Sequence, residues 1–92
     1  MKTFSASYNK IVTVIETNVS LENGELVEKG GRVFCFKTKK EFYSWAERQD
    51  SISVKVSQNI KGFVSKMQSL GFDVEIDESY GYEWECKCYC SK

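Results

Sequence analysis

The chain has 92 residues, 41% of them apolar and 28% charged, with no proline and no histidine. This length suits one domain with a modest core, since such a chain buries roughly 60–65% of its unfolded surface. Thirteen basic residues balance thirteen acidic ones, which excludes a globally basic nucleic-acid binder and a globally acidic DNA mimic, and the missing histidine removes the commonest general base and the commonest metal ligand.

The first elements are strands. Phe4, Ala6 and Tyr8 alternate with polar residues ahead of Ile11-Val12-Thr13-Val14-Ile15. That run is β-branched throughout and predicts a strand covered on both faces. Glu22-Asn23-Gly24-Glu25 is a hairpin signal between Val19/Leu21 and Leu26/Val27. Gly30-Gly31 then releases the chain into a further strand, Arg32 to Lys37.

A helix follows. Thr38-Lys39-Lys40-Glu41 is a capping box, and Phe42, Trp45 and Ala46 form its apolar stripe, with an end expected near Gln49-Asp50. Residues 51–56 read either way: Ile52, Val54 and Val56 alternate, whereas Val56, Ile60, Phe63, Val64, Met67 and Leu70 keep helical spacing. A second helix is predicted over about 57–70, with Gly71 as the residue that ends it.

The last stretch gives the clearest pattern. Phe72, Val74 and Ile76 alternate with Asp73, Glu75 and Asp77. After Glu78-Ser79-Tyr80-Gly81, the residues Tyr82, Trp84, Cys86, Cys88 and Cys90 alternate with Glu83, Glu85, Lys87 and Tyr89. Two such runs around a short polar turn predict an antiparallel hairpin with one buried face and one wet face. Residues 1–92 therefore read as a single α+β domain: an antiparallel sheet of about four or five strands, two helices packed on one face, and a C-terminal β-hairpin.

No window supplies the roughly 18 apolar residues of a membrane span, and the start runs into Ser5, Ser7 and Asn9 rather than an apolar leader. The expected location is the cytoplasm, where thiols stay reduced, and the sequon Asn18-Val19-Ser20 is read there as chance.

Three features offer chemistry. Cys86, Cys88 and Cys90 lie on one strand face, with neighbouring sulfurs about 6.5–7 Å apart. They could bind zinc or copper(I), with Cys35 as a fourth ligand, or act as a redox module. They also continue the core face of Tyr82 and Trp84, so small buried hydrophobes are the favoured reading, and no metal or cofactor is expected. The carboxylates Asp73, Glu75, Asp77, Glu83 and Glu85 alternate with core positions and should face water, which leaves none desolvated for acid–base work. With no phosphate loop, nucleophile elbow or triad in the sequence, an enzyme is not expected. Among the aromatics, Tyr43, Tyr80 and Tyr89 fall off the apolar stripes, and Tyr80, at the hairpin tip, is the one most suited to touch a partner.

Zero net charge conceals a division. Residues 1–70 carry 11 basic and 7 acidic side chains, whereas residues 71–92 carry 2 basic and 6 acidic ones. Acids on the two hairpin strands are expected opposite one another, which destabilises unless a basic partner relieves it. Two readings follow: two docking poles, Asp73, Glu75, Asp77, Glu78, Glu83 and Glu85 on one side and Arg32, Lys37, Lys39 and Lys40 on the other, or ordinary solubilising charge with the lysines at one helix start.

The profile as a whole, including the opening Met1-Lys2-Thr3-Phe4-Ser5 and the helix Glu41-Phe42-Tyr43-Ser44-Trp45-Ala46, resembles small phage-encoded anti-CRISPR proteins, in particular those acting on the type I-F surveillance complex. The resemblance implies a monomeric, non-enzymatic inhibitor in the bacterial host cytoplasm. Such a protein binds a Cas ribonucleoprotein through charged surfaces and blocks access of target DNA.

Overall fold

Alternating side chains and turn residues carry most of the chain into strands. The computed structural model describes residues 1–78 and 83–91, with Glu78 described by its backbone alone. The elements in chain order are β1 (Lys2–Tyr8), β2 (Val12–Glu22), β3 (Glu25–Phe36), α1 (Lys39–Ala46), β4 (Ser51–Val56), α2 (Ile60–Ser69), β5 (Phe72–Glu78) and β6 (Trp84–Cys90). They form one six-stranded sheet in the order β3-β2-β1-β4-β6-β5.

The α+β class and the closing β5–β6 hairpin agree with the sequence pattern. The sheet is larger than expected and mixed, because β4 lies parallel to β1, with Ala6 opposite Val54 and Tyr8 opposite Val56. Residues 51–56 are thus a central strand. Asn59, at φ 54°, separates that strand from α2. The parallel pairing follows from α1: a parallel neighbour requires a crossover, and the helix carries the chain back over the sheet. α1 itself ends at Ala46, ahead of the end expected near Gln49-Asp50.

The Asn23-Gly24 turn and the Thr38 half of the capping box act as their chemistry predicts. Asn23 and Gly24 have φ of 52° and 80°, the double left-handed geometry of a tight hairpin turn. The Thr38 hydroxyl accepts a hydrogen bond from the Glu41 amide at 3.2 Å, capping α1. Gly30-Gly31 does not separate two strands. β3 runs through it with a bulge opposite Asn18, between the pairs Thr17–Gly31 and Val19–Glu28. Gly30 supplies φ 105°. At Gly31 a Cβ would stand 1.8 Å from the Glu16 carbonyl oxygen, so only glycine fits.

The core lies between one sheet face and the two helices. Val12, Val14, Val54, Val56, Cys86 and Cys88 from the strands meet Phe42, Ala46, Phe63 and Met67 from the helices. Tyr8 sits at the junction, 5.0 Å from Phe63 and 6.1 Å from Phe42 between ring centroids. Burying each phenylalanine contributes roughly 1.5–3 kcal/mol relative to leaving it exposed. At the rim, Trp45 packs edge-on against Phe4 and Phe34. No helix among the described residues is long and apolar enough to cross a membrane.

Past Val19, whose amide donates to the Met1 carbonyl, β2 has only β3 beside it. The ribbon around Asn23-Gly24 therefore projects from the sheet. Its projection accounts for a radius of gyration of 13.5 Å, against about 12 Å for an ordinary domain of this length.

Candidate functional site

Strand alternation sorts every sheet residue onto one of two faces. The helices cover the face that carries Ala6, Val14, Val54 and Cys86. The register places a second set together on the opposite face: Thr3, Ser5 and Ser7 of β1, Thr13, Ile15 and Thr17 of β2, and Gly31, Val33 and Cys35 of β3. It continues through Ser51, Ser53 and Lys55 of β4, Glu85, Lys87 and Tyr89 of β6, and Asp73, Glu75 and Asp77 of β5. No described element lies over this face.

The composition of the face changes across its width. On β2 and β3, Ile15 pairs with Val33 and Leu21 pairs with Leu26; these four are 49–71% exposed, and Cys35 beside them is also open. Serines and threonines occupy the middle strands. Charge gathers on the far side.

That charged zone holds Asp73, Glu75, Asp77 and Glu85 on one open face, as the alternation predicts. Its neighbours differ from the expectation of acid against acid. Asp77 does lie opposite Glu85, but Glu75 faces Lys87 and Asp73 faces Tyr89. Lys55 pairs with Glu85 across β4 and β6. The Lys87 ammonium stands 3.9 Å from Asp77, and the Ser53 hydroxyl donates to Glu85 at 3.2 Å. The zone is a lattice of four carboxylates and two lysines, because the wet face of β6 is shared between Glu85 and Lys87. Glu83 is exposed just ahead of β6. Tyr80 and the side chain of Glu78 lie outside the described residues.

Arg32, Lys39 and Lys40 of the basic pole do not join this surface. Arg32 belongs to the helix-bearing side, where its guanidinium pairs at 3.1 Å with the buried carboxylate of Glu16 and lies over Phe34. Lys2 stands 3.7 Å from the same carboxylate. The Lys39 ammonium sits 4.6 Å above the Tyr8 ring. Lys37 and Lys40 are exposed where the chain enters α1. Lys39, Lys40 and Lys66 line a groove of about 420 Å³ between the helices, with Tyr43, Ser44, Glu47 and Leu70.

Tyr43 is half-buried rather than a free contact residue. Its hydroxyl shares a 2.8 Å hydrogen bond with that of Tyr8. Burial, then that bond, raises its pKa. Tyr89 is 44% exposed, on the open face.

The thiols divide the same way. Cys86 and Cys88 are fully buried under the helices and Cys90 partly so. Burial pushes the Cys86 thiol up, and burial with the neighbouring Cys86 pushes Cys88 up to about 12. Cys35 cannot join them as a fourth ligand or disulfide partner. It lies on the other face and four strands away, about 19 Å at the usual strand spacing. Among the described residues no cluster of three or more potential ligands could hold a metal.

Sequence reasoning missed Ile15, Val33, Leu21 and Leu26 as surface residues. A faint signal existed: Ser5, Ser7, Thr13, Thr17 and Ser53 fall on the face they share, and hydroxyls in register suit a wet sheet better than a core. No family model, characterised protein or solved structure matches the chain.

Proposed function

We propose that the chain is a non-catalytic, protein-binding inhibitor that docks through the helix-free face of its sheet. The observation that supports this most is the face itself, six strands wide, with an exposed apolar stripe at Ile15, Val33, Leu21 and Leu26 and carboxylates at Asp73, Glu75 and Asp77. Two exposed apolar pairs along one open face, Ile15–Val33 and Leu21–Leu26, are surface that a bound partner would cover. These apolar pairs would exclude water where a partner covers them, while the charged strands set partner choice and register. The buried thiols serve the core in this reading, since desolvation keeps them protonated.

The resemblance to anti-CRISPR proteins narrows the partner to a Cas surveillance complex, with the bound chain blocking the entry of target DNA. The test mixes purified chain with a type I-F surveillance complex and follows target-DNA binding by electrophoretic mobility. A stoichiometric loss of DNA binding is expected. That loss should disappear when Asp73, Glu75 and Glu85 are reversed to lysine and weaken when Ile15 and Val33 become threonine. Unchanged DNA binding at saturating excess removes the Cas assignment. Capture of the same lysate proteins by wild type and by both face variants removes the docking face.

A further inference from the structure

Among the described residues the sheet has two free edges, and β5 is one of them. Which of its backbone groups are free follows from the register. The Ser91 amide donates to the Gly71 carbonyl, so Gly71–Ser91 is a hydrogen-bonded pair, and the Cys90 amide points the other way, to Asp50. In an antiparallel ladder such pairs alternate. Asp73, Glu75 and Asp77 therefore bond β6, while the N–H and C=O groups of Phe72, Val74 and Ile76 point outward, with no partner among the described residues.

Beside that edge runs an apolar groove. Ile60, Val64 and Gln68 repeat along one flank of α2, and with Lys61, Ser65 and Ile76 they line a space of about 230 Å³. Along β5 the helix-side residues open progressively, from Phe72 at 3% exposure to Ile76 at 47%. The opposite side of the same strand carries Asp73, Glu75 and Asp77, all exposed.

We propose that the β5 edge and the α2 flank form a docking groove for an extended segment of a partner protein in which apolar and basic residues alternate. A strand added to β5 would satisfy the outward backbone groups. Its residues opposite Val74 and Ile76 would enter the groove, and those opposite Asp73, Glu75 and Asp77 would meet carboxylates. Charge selects the occupant. A second β5 from another copy would set carboxylate against carboxylate, which destabilises a cross-strand pair, whereas lysine or arginine at alternate positions matches the strand along its length. The inference rests on the docking reading above and names the partner chemistry at one border of that surface.

The test uses the full ¹⁵N-labelled chain and a capped peptide alternating lysine with valine, matched to the seven residues of β5. Chemical-shift changes are expected at Phe72, Val74, Ile76 and the Ile60/Val64 flank. At a peptide concentration about ten times Kd, amide exchange at Val74 and Ile76 should slow about tenfold. A glutamate–valine peptide should leave both amides unchanged. Ile76→Lys and Glu75→Lys, both at exposed positions, should each weaken the lysine–valine peptide about tenfold with the spectrum otherwise retained. The proposal is overturned by no shift at about 1 mM peptide, by equal binding of the glutamate peptide, or by shifts centred on the β3 edge. If the open-face variants abolish partner capture while the peptide fails, the groove falls and the docking face stands; loss of both removes the common premise.

Discussion

At the scale of single residues, the four thiols report which side of the sheet is covered. Cys86 and Cys88 are sealed between strands and helices, and Cys35 faces water. A neutral-pH pulse of iodoacetamide should label Cys35 and leave Cys86 and Cys88 unmodified until denaturant is added, as read by peptide mass spectrometry. Linkage adds a second expectation. The folded pKa of Cys88 is raised to about 12 and that of Cys86 is also raised, so above the unfolded value the folded state holds more protons than the unfolded one. Their contribution to stability is complete below that value and is lost as pH climbs. The Tm should therefore fall between about pH 9 and about pH 12, and Cys88→Val should flatten the fall. These burial states were half legible in the sequence: alternation placed the three late cysteines on the core face, but nothing local placed Cys35 on the open one.

At the scale of elements, the β2–β3 ribbon depends on close backbone approach at the bulge. Gly31→Ala would force a Cβ against the Glu16 carbonyl, which belongs to the neighbouring strand and cannot move aside as a side-chain tip would. The expected loss is about 2–3 kcal/mol in urea unfolding, with exchange faster throughout β3. Glu16 would feel the same shift, because its buried carboxylate is held by Arg32 directly across the ladder. The glycine pair was visible in the sequence. It marked a special backbone position without telling a strand break from a bulge, since both call for the same residue.

At the scale of the whole molecule, two helices of 8 and 10 residues cover one face of a six-stranded sheet. At 1.5 Å per residue each is about 12–15 Å long, too short for the pair to shield both faces of a sheet about 24 Å wide. The exposed stripe on β2 and β3 follows from that shortage. The double variant Ile15→Thr, Val33→Thr keeps β-branched side chains on exposed strand positions. It should change stability by less than about 0.5 kcal/mol while weakening partner capture. A loss of stability well beyond that would mean these residues belong to a core rather than to a contact surface.

The sequence alone determined which residues of a strand share a face, the Asn23-Gly24 turn, the Thr38 cap of α1 and where α2 ends. Each of these depends on backbone preferences or on periods of two and 3.6 that neighbouring residues set. Only the tertiary structure decided that β4 pairs in parallel with β1, that β2 is covered once rather than twice, and that Arg32 and the α1 lysines lie away from the carboxylates. Those outcomes depend on layer order. A β-branched run looks the same beneath a helix and beneath water, and its pattern carries no record of which element crosses over it.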